Sequence, residues 1–244
     1  MRLPDSVLHA LDEKWSRGAV EIPSGKTSLV CTTSWQDCAT THLDFARRHV
    51  IRPAVHINSP PDKDKRRAVA WVGDPSDGSL AFLVAVVNGV RRRASVDEFK
   101  LVARPSVAVG PEVWDYLGDS DDVAVGADDI DEVLFTSKIY AAPSFLPTSF
   151  DANAARASCE GAIVVAPMKY GYPECFAATA SMLCVHSYDN SAYAMSFASN
   201  LVEALEFDTW HHVSSFAESA RKNFSVEKEK FAWDEFLGFL RVSG

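Results

Sequence analysis

Apolar positions between Ile51 and Tyr140 fall in short runs with β-like alternation: R-P-A-V-H-I-N, A-V-A-W-V-G, L-A-F-L-V-A-V-V, E-F-K-L-V-A-R, S-V-A-V-G and E-V-L-F-T-S. Pro and Gly punctuate them, and together they predict a sheet. In the run Leu80 to Val87 both alternating sets are apolar, which predicts a central strand covered on both faces. The period changes on either side of this stretch. Ahead of it, Asp5 to Trp15 reads as a helix and Ser28 to Thr33 as a short strand. Ser34 to His49 reads as a second helix, N-capped by Ser34, with Trp35, Cys38, Ala39, His42 and Phe45 on one face. Beyond a connection rich in Pro, Ser and Asn at 143–157 comes the apolar run G-A-I-V-V-A-P. Helices are then predicted at 174–186, 191–205, 208–222 and 226–242. The pattern predicts an α+β fold class: a mixed β-sheet with flanking helices in residues 1–155, and a predominantly helical region, 156–244, packed on it.

The last predicted helix carries an unusually wide apolar stripe. Ala232, Trp233, Phe236, Leu237, Phe239 and Leu240 cover one arc, with Phe231 outside it. Aromatics at this density dominate a domain core or a subunit interface. A stripe that wide needs cover on more than one side, which a second subunit could supply. In that case Phe231, Trp233, Phe236 and Phe239 form the interface.

Composition narrows the classes. The chain has 244 residues, 47% of them apolar, enough for a sizeable core without disulfide or metal staples. No apolar run approaches the length of a membrane helix, and Pro4, Asp5 and His9 stand where a signal peptide would be apolar. The five cysteines are odd in number and form no CxxC pair, so they do not read as a disulfide framework. These features predict a protein that is not secreted, cytoplasmic or virion-associated, with no membrane partner. Net charge is −9, and no Lys or Arg stands between Pro105 and Ser137, where Asp115, Asp121, Asp122, Asp129 and Glu132 lie. Such a surface repels nucleic acid.

Several stretches suggest chemistry. V-E-I-P-S-G-K-T-S-L-V, Val20 to Val30, looks like the end of a phosphate loop, but Val20 stands where the loop needs its first Gly. A turn is the simpler expectation. Cys38 and His42, four residues apart on one predicted helical face, could both reach a zinc ion; as core residues they need none. Asp62, Glu98 and Lys100 follow a pattern used by metal-dependent nucleases, which the acidic surface disfavours. Arg91-Arg92-Arg93-Ala94-Ser95 suits a basophilic kinase, with a solvated basic turn as the plain alternative.

Pro173 is placed to open a helix, which puts Cys175 in its first turn, where free N–H groups lower a thiol's pKa. Locally, G-Y-P-E-C-F-A-A resembles the nucleophile region of viral papain-like leader proteases. The resemblance implies a cysteine hydrolase with Cys175 as nucleophile and His211 or His212 as base, although both histidines fall in a predicted helix instead of on a later strand. Weighed against their structural alternatives, none of these constellations prevails. Elimination leaves a non-enzymatic structural or assembly subunit or interaction adaptor, of possible viral origin, that binds a protein partner or itself and needs neither cofactor nor metal. The hydrolase at Cys175 and a zinc module at Cys38 and His42 are the alternatives.

Overall fold

Every strand among the described residues runs parallel to its neighbours, so each connection between paired strands must cross over, and helices supply most of these crossovers in the larger sheet. The computed structural model describes residues 7–10, 28–32, 37–38, 47–55, 57, 66–93, 96–119, 121–146, 148, 150–175, 181–184, 190–207 and 210–242. Three short strands, β1 (Val7–Ala10), β2 (Ser28–Cys31) and β3 (Arg47–Val50), pair in sequence order. A larger sheet contains β4 (Arg66–Gly73), β5 (Lys100–Pro105), β6 (Asp122–Val123), β7 (Ser137–Ala141), β8 (Ile163–Pro167) and β9 (Ser181–Cys184), in the order β6-β5-β4-β7-β8-β9. Counted from β4, that is 3-2-1-4-5-6, the strand order of dinucleotide-binding folds.

Alternation along the strands assigns each sheet face its cover. Val69, Trp71, Leu101, Ile139 and Ile163 join one core with α1 (Ser79–Arg91) and α6 (Asn190–Glu206). Ala70, Tyr140, Val164 and Ala166 face the opposite way, towards α3 (Ile130–Thr136), α4 (Ala152–Cys159) and α5 (Tyr172–Cys175). The short α2 (Pro111–Trp114) leans on α1. Helices on both faces make this a parallel α/β arrangement and refine the expected mixed α+β sheet.

The run Leu80–Val87 is therefore a helix and not a strand. Its Leu80, Leu83, Val84, Val87 and Val90 are buried in the core that α1 shares with the sheet and with α6, which packs beside it. A short continuous apolar run cannot distinguish a buried strand from a buried helix. The same ambiguity turned two more assignments: Val7–Ala10 is a strand inside a predicted helix, and E-V-L-F-T-S holds the end of α3 and the first residue of β7. The sheet also continues past residue 155 into β8 and β9, so the soft boundary placed there falls inside it. Of the helix predicted at 174–186, Glu174 and Cys175 close α5, while Ser181–Cys184 form β9.

The three C-terminal helices follow the sequence closely: α6, α7 (Trp210–Asn223) and α8 (Val226–Val242). On α7, Ala220, followed by Phe224 just past the helix end, packs on Ala155 and Cys159 of α4. On α8, Phe236 is 1% exposed and packs on Val30 and Ile51, with the His49 ring edge-on at 4.6 Å. Trp233 meets Phe236 at 5.9 Å. At Ala232, Trp233, Phe236 and Leu237 the stripe finds its cover in the chain's own small sheet, the core alternative to a second subunit. Phe231 is exposed; the Phe239 side chain lies outside the described residues.

Candidate functional site

In an open parallel sheet, chain connections leave in opposite directions from the two strands at which the order reverses, and a crevice opens beyond their carboxyl ends. Here those strands are β4 and β7. A cavity of about 360 Å³ lies at this point. One wall comes from Trp71, Gly73, Asp74, Ser76, Asp77 and Ser79, the other from Tyr140, Ala142 and Ser144, and Thr148, Asp151 and Tyr172 close it.

Local sequence explains the first wall. Gly73 ends β4 where a Cβ would come within 3.3 Å of the Trp71 indole, so the strand can leave the sheet tightly over that ring. Asp74 then caps a single 3₁₀ turn, Pro75–Asp77, accepting a hydrogen bond from the Ser76 N–H at 2.9 Å. Gly78, at φ +78°, turns the chain into α1, a conformation that costs other residues energy. Asp77 Oδ1 accepts from the Ser79 N–H at 2.8 Å. Across the cavity Asp151 caps α4, accepting from the Ala154 N–H at 2.8 Å. Two helix N-termini thus lie at the cavity: α4 is capped by Asp151, while α1 opens on Gly78 without a side-chain cap and has its Ser79 N–H taken by Asp77.

The far side is a hydroxyl network. The Tyr172 hydroxyl hydrogen-bonds with the side chains of Asp151, Thr148 and Ser144, and Ser144 Oγ donates to the Leu146 carbonyl at 2.9 Å. Burial pushes the Asp151 carboxyl up against the lowering effect of its capping bonds. Burial also raises the Tyr140 and Tyr172 hydroxyls well above their ordinary value, so both stay neutral. Asp74 goes the other way, lowered by its bonds from Ser76. Tyr170, two residues from Tyr172, holds φ +58°; for a bulky residue that is strained backbone, a feature that concentrates near functional sites.

Cys175 lies behind this network. It is wholly buried, its Sγ accepts from the Asp151 N–H at 3.2 Å and donates to the Gly171 carbonyl at 3.4 Å, and burial drives its thiol far up. A nucleophile needs the reverse, exposure and a lowered pKa. Among the described residues Cys175 thus steadies the backbone that presents Asp151. The side chains of His211 and His212 lie outside the described residues. Cys38 is exposed in a helical turn, and His42 lies outside the described residues. Among those described, no three His, Cys, Asp or Glu side chains gather as a metal site. Glu98 and Lys100 flank a different hollow beside Arg67, while Asp62, Ser95 and the stretch 11–27 lie outside the described residues.

The acidic segment also has structural work that its charge alone did not reveal. Asp121 binds the Arg91 guanidinium and accepts from the Leu101 N–H at 3.1 Å and the Gly118 N–H at 2.9 Å. Arg104, 4% exposed, is held by Asp122 at 3.0 Å and Asp129 at 2.6 Å.

None of the cleft's aspartates was singled out from the sequence. The available signal was A-V-A-W-V-G-D-P-S-D-G-S, a strand, a Gly-bounded turn and a helix start. Reading Leu80–Val87 as a strand removed the helix and hid the signal.

Fold and cleft together define a doubly wound α/β protein with a cavity at its topological switch point. The chain is similar to several solved structures. Sucrose-phosphate synthase from Thermosynechococcus elongatus is 14% identical, with a TM-score of 0.74 over 98% of this chain and 68% of that one. HepE from Anabaena, solved in complex with UDP and glucose, is 16% identical, with a TM-score of 0.73 over 95% of this chain and 71% of that one. The GtfA/B complex is 12% identical, with a TM-score of 0.68 over 95% of this chain. This chain spans about half of that last one's length, 48%. No family model matches the sequence, and no curated protein does. At these identities the likeness shows a fold that in these structures serves glycosyltransferases. It corrects the expectation of a viral structural or assembly subunit, which rested on elimination alone. No helix among the described residues is long and apolar enough to cross a membrane.

Proposed function

We propose that this chain works in glycosyl transfer and that the cleft between the ends of β4 and β7 holds its sugar-bearing ligand. The observation that carries this reading is the coincidence of the cavity with the switch point, in a fold shared with sucrose-phosphate synthase and HepE. The lining supports it. Sugar hydroxyls both donate and accept, and the cleft offers carboxylates that accept and Ser, Thr and Tyr hydroxyls that do either. In such a transfer the bond from the anomeric carbon to its leaving group breaks, a bond to an acceptor oxygen forms, and the acceptor's proton passes to a base. The GtfA/B neighbour is solved as a complex, which supports a protein partner for this chain as well.

The test is ligand-observed NMR on the whole chain with glucose, N-acetylglucosamine, UDP-glucose and UDP-N-acetylglucosamine. Saturation transfer to at least one of them is expected. Ser76, exposed at the cleft's edge, replaced by Leu should abolish it while leaving the thermal melt in place. Absence of transfer to all four ligands would overturn the proposal.

A further inference from the structure

We propose that the cleft of this chain takes an uncharged saccharide, held by its hydroxyl groups, and excludes the diphosphate of a sugar nucleotide. The inference rests on the sugar-handling reading of this cleft and concerns which part of a sugar-bearing ligand it accepts.

A diphosphate is bound by backbone N–H groups at a helix N-terminus, by the positive end of the helix dipole and by nearby cations. Here these provisions are weakened. The N–H groups of Ser76 in the 3₁₀ turn, of Ser79 at the start of α1 and of Ala154 in the first turn of α4 donate to Asp74, Asp77 and Asp151 respectively. Each capping carboxylate cancels part of the dipole that would attract an anion. Among the described residues no Lys or Arg lines the cavity. The arginines that flank this half of the sheet are committed, Arg104 to Asp122 and Asp129, and Arg91 to Asp121. A diphosphate placed here would meet ionised Asp74, with its carboxyl held below the ordinary value by its bonds from Ser76, and would have to displace Asp77 to gain the Ser79 N–H. Like charges at such range disfavour binding, the more so in a site partly shielded from water.

A neutral polyol meets the opposite situation. Its hydroxyls donate to the lone pairs that Asp74 and Asp77 do not use in capping, and they exchange donor and acceptor roles with Ser144, Thr148 and Tyr172. The cavity, about 360 Å³, lies at the small end of the range for ligand sites, roughly 300–1,000 Å³, which suits one or two sugar rings better than a whole sugar nucleotide.

The experiment is titration of the whole chain at neutral pH with glucose, N-acetylglucosamine and maltose on one side, and UDP, UDP-glucose and inorganic pyrophosphate on the other, read by calorimetry and saturation-transfer NMR. A neutral saccharide is expected to bind and the phosphorylated ligands to give no signal from the cleft. Asp74→Asn should weaken the saccharide about tenfold, the equivalent of one charge-assisted hydrogen bond. Asp74→Lys should weaken it too and make UDP binding measurable. If UDP or pyrophosphate binds the unaltered chain and Ser76→Leu removes that binding, this inference is overturned while the glycosyl-transfer reading stands. If no saccharide and no sugar nucleotide binds, both fail together. Saccharide binding that survives Ser76→Leu would place the sugar elsewhere and also overturn the inference.

Discussion

Aspartates do opposite work on the two sides of β4. Along the outer edge, Asp121, Asp122 and Asp129 are paired with buried or half-buried arginines and tie β5, β6 and α3 into the sheet. At the carboxyl end of β4, Asp74, Asp77 and Asp151 cap backbone N–H groups around an open cavity. The residue type is the same in both places. What differs is whether a guanidinium is within reach, and that decides whether a carboxylate is a strut or is left to face the cavity. Charge along the chain is therefore a poor guide to charge at a site, because the densest acidic stretch supplies struts while the isolated aspartates line the cleft.

The comparison can be broken most directly at the struts. Asp121 has a side chain only 2% exposed, so Arg91→Met strands a buried carboxylate. Chemical denaturation should show a loss on the order of 3 kcal/mol. A loss under about 1 kcal/mol would show that the Leu101 and Gly118 N–H groups suffice without the guanidinium. Arg104→Met should cost less, about 1–2 kcal/mol, because Asp122 and Asp129 are half exposed and water can replace the arginine.

Asp121 among the struts and Asp151 beside the cleft should also titrate with opposite signs. Burial raises the Asp121 carboxyl, but Arg91 and the two N–H groups outweigh it and hold the group below its ordinary value. Its contribution is therefore complete above the unfolded value, about 3.9, and is lost as pH falls through the lower folded value. The Asp151 carboxyl is raised by burial, so the folded state keeps a proton that the unfolded chain has released. Stability then declines as pH rises from about 3.9 through the higher folded value. Urea unfolding across this span should show Asp121→Asn flattening the acid limb and Asp151→Asn flattening the upper one. If both substitutions change the same limb, the distinction between the two sets is lost.

The smallest effect on stability belongs to the cleft's edge. Asp74 is exposed and caps one 3₁₀ turn, so Asp74→Asn, which keeps a capping oxygen, should shift stability by less than about 0.5 kcal/mol. That near-neutrality is what allows its effect on ligand binding to be read cleanly.

Much of the C-terminal part was legible in the sequence. The amphipathic period and the aromatic stripe of α8 are local properties, and the helix runs over Val226–Val242 as the pattern predicts. The core strand A-V-A-W-V-G was legible for the same reason. The middle was not. Leu80–Val87 looks alike as a buried strand or a buried helix until something is known of what packs around it, and that misassignment concealed both the crossovers and the cleft. Cys175 shows the complementary limit: its place beside Pro173 is local, but its burial behind Asp151 depends on a helix 24 residues upstream.

By itself, the sequence determined where the chain is apolar, where Gly and Pro must turn it, and which helices carry their own start signals, because these depend on neighbours within a few positions. Only the tertiary structure decided that the strands are all parallel, that β4 and β7 part company at a crevice, and which aspartates have an arginine for company. Those outcomes depend on contacts between residues far apart in the chain, such as Arg91 with Asp121 and Tyr172 with Asp151, and no local pattern encodes which distant group will arrive.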